Sequence, residues 1–241
     1  MRNMFFGMRI LLSLFAMSGV GALIHTWSAA AAPTVISTIP VESSPNGVGV
    51  NSSTNRIYVA NSDSGTVSVI DGDTNAVVSI VAVESWPYDV GVNASTNRIY
   101  VSNASSNTVS VIDGDTNTVV STLPVESHPL GVDVNASTNR IYVANAESYT
   151  VSVIDGDTNT VVSTILVESY PRGVGVNSST NRIYVANSDS GTVSVIDGDT
   201  NTVVSTIPVE SYPKGVGVNS STNRIYVANG NSNTVSVIDG D

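Results

Sequence analysis

The 241-residue chain contains no cysteine. That excludes disulfides, thiolate-held zinc, iron–sulfur clusters and a lipid anchor on cysteine. Charged residues make up only 12% of it, against about 25% in an ordinary soluble domain, so Ser, Thr and Asn must supply the polar surface. One Lys and scattered Arg make no basic patch, which disfavours nucleic-acid binding. Histidine is scarce too, with only His25 and His128. Met1, Met4, Met8, Met17, Phe5, Phe6 and Phe15 have no later counterparts, and past residue 25 only Leu123, Leu130 and Leu166 remain of the leucines. A body so poor in helix formers and so rich in Val, Ile and Thr excludes a helical fold.

The beginning of the chain differs from the rest. Arg2 and Arg9 accompany an apolar run over residues 10–24, and small residues follow at Ser28, Ala29, Ala30, Ala31 and Ala32. Positive, apolar, then small is the order of a secretory signal peptide. Residues 1–31 are therefore expected to be removed on export, by cleavage after Ala30 or Ala31. An uncleaved membrane anchor is the alternative, since residues 5–27 are long enough to span. Cleavage leaves 7 basic against 20 acidic residues and shifts the net charge from −11 to −13. The product, with no further apolar stretch of membrane length, is expected in the periplasm, on the cell surface or in the medium.

From residue 32 onward the chain repeats every 42 residues. Arg56, Arg98, Arg140, Arg182 and Arg224 mark the period inside Asn-Arg-Ile-Tyr-Val, and Asp71, Asp113, Asp155, Asp197 and Asp239 mark it inside Val-Ile-Asp-Gly-Asp. In one unit, residues 47–51, 56–61, 66–71 and 76–80 alternate as strands do, with Ser-Ser-Thr-Asn and Gly-Asp-Thr-Asn turns between them. Four short antiparallel strands in about 40–45 residues describe a propeller blade. A blade cannot bury both faces alone, so the units must stack or close.

Counting favours closure. Residues 32–241 amount to five periods, and the last unit stops short of its fourth strand. Residues 33–40 are in phase with residues 201–208, which are such a strand. The expected fold is all-β: a propeller of five four-stranded blades, closed when the N-terminal strand completes the last blade and hides its edge. The expected units are 41–82, 83–124, 125–166, 167–208, and 209–241 with 32–40, within one domain spanning 32–241.

The repeat resembles the YVTN β-propeller repeat of bacterial and archaeal envelope proteins. The tetrapeptide stands as Tyr-Val-Ala-Asn from Tyr58, Tyr142, Tyr184 and Tyr226, and as Tyr-Val-Ser-Asn from Tyr100. Flanking Ser-Val-Ile-Asp and Val-Val-Ser-Thr-Ile match as well, over essentially all of residues 33–241. The resemblance implies a propeller and an envelope setting, among surface-layer components, surface antigens and periplasmic proteins.

In such a blade the linkers between blades share one rim with the turns joining second and third strands. The turns of the opposite rim barely change between repeats. The linkers do change, reading Ser44-Pro-Asn46, Trp86-Pro-Tyr88, His128-Pro-Leu130, Tyr170-Pro-Arg172 and Tyr212-Pro-Lys214. Their partner turns vary too, with Glu147 and Tyr149 in one of them. Exposed rings on prolyl loops give large contact area at little entropic cost, so this rim is the expected recognition surface. The plainer alternative is that these side chains cover the seams between blades. Glu42, Glu84, Glu126, Glu168 and Glu210 recur once per linker. They form either an acidic collar for basic groups or a solvated charge.

Other chemistry has less behind it. Asp-Gly-Asp-Thr-Asn looks like half a calcium loop, but Ala76 and Ala82 stand where that loop after Asp71 needs Gly and Glu. A hairpin whose Asx side chains bond their own backbone explains the motif. The recurring Arg is expected to pair with an Asp across the blade. Asn51, Asn93, Asn103, Asn135, Asn177 and Asn219 fit the glycosylation sequon. Asp89 and Asp133 replace glycines near the innermost strands, and two carboxylates at a propeller axis are the minimum for glycosidic hydrolysis. No catalytic residue, metal or cofactor is expected. The sequence favours a noncatalytic scaffold binding an envelope protein or glycan through its variable rim. A structural, self-associating envelope component is the alternative, and a hydrolase at the channel mouth a lesser one.

Overall fold

The computed structural model describes residues 32–241, and the expected signal peptide lies outside them. Residues 37–241 form one compact unit. Strands and turns alone build the described residues, so no helix among them is long and apolar enough to cross a membrane. The first sheet runs β1 (Pro45–Asn51), β2 (Arg56–Asn61), β3 (Thr66–Asp71) and β4 (Ala76–Ala82), in that spatial order. The second comprises β5 (Pro87–Asn93), β6 (Arg98–Asn103), β7 (Thr108–Asp113) and β8 (Thr118–Pro124). In the third are β9 (Pro129–Asn135), β10 (Arg140–Asn145), β11 (Thr150–Asp155) and β12 (Thr160–Leu166). The fourth holds β13 (Pro171–Asn177), β14 (Arg182–Asn187), β15 (Thr192–Asp197) and β16 (Thr202–Pro208). Last come β17 (Pro213–Asn219), β18 (Arg224–Asn229) and β19 (Thr234–Asp239).

All pairings are antiparallel between neighbours in sequence, because four-residue turns allow nothing else. Asn55, Asn97, Asn139, Asn181 and Asn223 sit at φ near +50°, the left-handed region that asparagine tolerates. This is why each turn between first and second strands ends on Asn. Strand alternation then sends Tyr58 and Ala60 to one face of the first sheet, Ile57 and Val59 to the other. Tyr58, Ala60, Val67, Val69 and Val81 pack against Val90, Ile99, Val101 and Ile112 of the second sheet. The same seam recurs around Tyr100, Tyr142 and Tyr184. At about 25 cal/mol per Å² of buried apolar surface, these dry seams are the main source of stability.

Two further devices lock each seam. Across its lower rim, Asn51 Nδ2 donates to Asn97 Oδ1 at 2.8 Å, and Asn93, Asn135 and Asn177 repeat the bond to Asn139, Asn181 and Asn223 at 2.7–2.8 Å. These sequon asparagines are fully buried, so a glycan on any of the four has no room. Within each sheet, Arg56 pairs with Asp71, Arg98 with Asp113, Arg140 with Asp155, Arg182 with Asp197 and Arg224 with Asp239. This is the cross-blade ion pair anticipated from the period.

The repeated four-stranded sheets make a β-propeller-like fold, but the expected closure is not formed. Residues 32–40 adopt no strand, and the last sheet has three strands rather than four. Its free face leaves Tyr226, Val235 and Val237 exposed by 42%, 59% and 58%. The physical reason lies in the seams. Closing five sheets into a ring demands a wide wedge at each seam, which pries Val81, Leu123 and Ile165 off the neighbouring sheet. Instead these outer-strand residues are buried.

Candidate binding site

The linkers and the second-to-third-strand turns meet on one rim, held by the same bonds in every sheet. Ser43 N–H donates to Ser64 Oγ at 2.9 Å, and Ser62 N–H to the Ser44 carbonyl at 2.9 Å. The next sheets repeat the pattern from Ser85, Ser127, Ser169 and Ser211. The residue before each linker proline lies at positive φ: Ser44, Trp86, His128, Tyr170 and Tyr212 span 55–58°. For bulky residues this is strained backbone, of the kind that marks functional or over-determined sites. A register shift follows each linker proline, as between Pro45 and Val48, and re-aims the side chain that follows it.

That side chain is the one that differs most between repeats. Asn46, Tyr88, Leu130, Arg172 and Lys214 occupy one repeat position. Leu130 is buried with Ala104 and Ala146 under Tyr88 and Tyr170; here the seam-covering reading holds. The other four line a single pocket of about 240 Å³ with Asp89 and Gly47, Gly131, Gly173 and Gly215. Every sheet contributes its innermost strand to this pocket, so it lies at the axis of the fold. Arg172 Nη2 donates to Tyr88 Oη at 2.7 Å, and its guanidinium lies 6.0 Å from that ring's centre. Arg172 Nη1 reaches Tyr212 Oη at 3.4 Å, and Lys214 Nζ sits 5.0 Å over the Tyr212 ring. Two cations held on two tyrosines thus line the pocket of a chain whose net charge is −11.

The remaining rim residues are spread more widely. Trp86 packs edge-to-face on His128 with ring centres 6.2 Å apart. Tyr149 is half-exposed on its turn, and Glu147 accepts a hydrogen bond from Ser127 Oγ at 3.0 Å. Glu42, Glu84, Glu126, Glu168 and Glu210 are exposed, and none lines the pocket. The glycines of the lining escaped the sequence reading. Their signal was a repeat position that is Gly in every unit but one, where Asp89 stands.

Asp89 and Asp133 turn out to be clasps between sheets. Asp89 accepts from its neighbour Val90 N–H at 2.9 Å and from Val132 N–H of the third sheet at 3.1 Å. Asp133 accepts from Val134 and from Val176 of the fourth sheet, both at 2.8 Å. Only Asp89 lines the pocket, so the carboxylate pair needed by a hydrolase is divided and committed to backbone amides. Burial pushes both carboxyls up, Asp133 to about 6, against the pull of those amides. By contrast, Asp71 accepts from Thr74 and Asp73 N–H groups and from Arg56. Those contacts hold it down to about 2, as an Asx hairpin requires.

The signs give a testable pH profile. A folded-state value above the ordinary 3.8 means that Asp133 stabilises the fold below pH 4 and that this contribution is lost as pH rises to about 6. Stability is expected to fall over that window by on the order of 3 kcal/mol. In Asp133→Asn that descent should shrink, checked by urea unfolding at closely spaced pH values. Asp71, Asp155 and Asp197, held near 2, act in the separate window between about pH 4 and 2, where stability is lost on acidification.

No family model matches the chain, and no curated protein does. Among solved structures it is similar to Kuenenia stuttgartiensis hydrazine synthase, with a TM-score of 0.72 and 22% identity over 83% of this chain and 58% of that one. This chain thus corresponds to little more than half of that protein's length, and the likeness is one of fold alone: a β-propeller-type repeat of four-stranded sheets.

Proposed function

We propose that this protein is an exported, noncatalytic binding scaffold of the YVTN-repeat kind, which holds an anionic group of an envelope or extracellular ligand, glycan or protein, in its axial pocket. One observation carries the reading. In a chain whose repeats are nearly identical, a single repeat position holds Asn46, Tyr88, Leu130, Arg172 and Lys214, and four of these five converge on one pocket. Arg172 and Lys214 are pre-positioned by tyrosines, which lowers the ordering cost of binding. Elsewhere on the same rim Trp86, packed on His128, offers a half-exposed aromatic face suited to a sugar ring or an apolar side chain.

Titration of the protein with uronate-containing oligosaccharides and with acidic peptides tests this, following Trp86, the only tryptophan after residue 31. Saturable binding is expected for one of the two classes. Charge-assisted hydrogen bonds are worth about 1.5–3 kcal/mol, so Arg172→Ala and Lys214→Ala should each weaken it roughly 10- to 100-fold. Flat titrations with both classes, or variants that bind as well as the parent, overturn the reading.

A further inference from the structure

A succinimide forms where a backbone amide nitrogen can reach the side-chain carbonyl of the residue before it, and glycine, lacking a Cβ, hinders that approach least. Seven dipeptides of the chain qualify, five Asp-Gly and two Asn-Gly. Six of them have the glycine nitrogen tied down. In the Asp-Gly pairs beginning at Asp71, Asp113, Asp155, Asp197 and Asp239, the glycine N–H donates to an asparagine carbonyl at 2.9 Å. In Asn229-Gly230 the Gly230 N–H donates to the Tyr212 carbonyl at 2.8 Å. Asn229 itself is buried, and its Nδ2 donates to Thr234 Oγ1 and Ser236 Oγ at 3.0 and 2.9 Å. Asn46-Gly47 lacks these restraints. It falls between Pro45 and Val48, where the pairing of β1 with β2 shifts register and neither residue has a ladder partner. At the same place in the second sheet, Asp89 N–H donates to Ser102 Oγ at 3.1 Å, but the first sheet has Ala60 there, with no hydroxyl to accept. Asn46 is exposed, lines the axial pocket, and has a long 3.4 Å contact from Nδ2 to Ser62 Oγ.

We propose that Asn46 is a site of spontaneous deamidation, which turns a neutral amide of the axial pocket into a carboxylate. The Gly47 nitrogen gives its proton to solvent base and attacks Asn46 Cγ; the Cγ–Nδ2 bond breaks and ammonia leaves. Water then opens the succinimide. Breaking the new Cγ–N bond yields aspartate, breaking the bond to the main-chain carbonyl carbon yields isoaspartate, and nothing is oxidised or reduced. The negative charge so formed stands in the pocket that Arg172 and Lys214 line, where it competes with an incoming anion. That consequence rests on the ligand reading; the conversion itself does not.

To test this, the full chain is aged in mildly alkaline buffer and then digested with trypsin, which cuts after Arg56 and Arg224 and so places Asn46 and Asn229 in different peptides. Mass spectrometry is expected to find conversion of amide to acid at Asn46 at least about 10-fold faster than at Asn229, which must first open locally. Isoaspartate should accompany aspartate at position 46. In urea, with the restraints gone, the two sites should convert at similar rates. Asn46→Gln, whose longer side chain closes a ring far more slowly, should show no conversion there. Gly47 itself is no target for substitution, since a Cβ would lie 2.5 Å from Asp89 Cα. Folded protein in which Asn46 converts no faster than Asn229, or keeps its amide while the urea-unfolded chain loses it, overturns the proposal. Asn46→Asp should bind the acidic ligand class about 10-fold more weakly than the fresh parent. Equal binding overturns the effect on the pocket alone. A parent that binds neither ligand class overturns the ligand reading, while the mass spectra still decide the conversion.

Discussion

Tyr142→Ala is expected to destabilise the protein by about 3–5 kcal/mol, the range for removing a large aromatic side chain from a closed core. The same substitution at Tyr226, the same repeat position two units later but on a free face, is expected to cost less than about 1 kcal/mol. Tyr142 is fully buried, packed with Ala144, Val151, Val153 and Ile165 against Ile183, Val185 and Ile196 of the fourth sheet. Its loss leaves a cavity that two rigid sheets cannot collapse to fill. Tyr226 is 42% exposed on the last sheet. Sequence context is the same around both residues, Arg-Ile-Tyr-Val-Ala-Asn, so the difference isolates burial from propensity. The hydroxyl adds a second contrast. Tyr142 Oη is buried with no hydrogen-bond partner among the described residues, and burial pushes it up to about 12. Tyr142→Phe removes an unsatisfied polar group without opening space, so it should be neutral or mildly stabilising. Urea unfolding of the three variants checks the order; equal losses at Tyr142 and Tyr226 would show that the seams do not carry the stability.

The strands were readable because period-two alternation and Asn-terminated turns are local properties, and they recur five times in the chain. The Arg56–Asp71 pair was readable for the same reason: both residues sit at the ends of one hairpin. Closure was a different kind of inference. Phase matching shows that residues 33–40 have the pattern of a fourth strand; it is silent on the wedge angle between sheets. Of the two carboxylates expected near the channel, Asp89 does line the axial pocket and Asp133 does not. Each replaces a glycine that faces the next sheet, so its carboxylate lands on that sheet's amides. The site was half readable. Variation at Asn46, Tyr88, Arg172 and Lys214 pointed to the rim, but the register shift after each linker proline, which turns these residues inward to one pocket, leaves no mark in composition. Positive φ at Trp86, His128, Tyr170 and Tyr212 is likewise invisible, since nothing about an aromatic residue announces left-handed backbone.

The innermost strands permit a second comparison within one chain, between Gly173 and Gly215. A Cβ at Gly173 would lie 2.1 Å from the carbonyl oxygen of Lys214. The obstacle is backbone, so the fourth and fifth sheets must move apart for the methyl group to fit. Overpacking of this kind costs about 1–3 kcal/mol, and Gly173→Ala should fall at the upper end because no side chain can swing aside. The same movement displaces Lys214 and Arg172 from each other across the pocket, so weaker ligand binding should accompany the lower stability. At Gly215 a Cβ meets nothing within 4 Å, and neither glycine has a positive φ. Gly215→Ala should therefore leave the single molecule as stable as the parent or raise it by about 0.4–1 kcal/mol, through the lost freedom of the unfolded chain. Thermal melts of the two variants at low concentration give the direct reading.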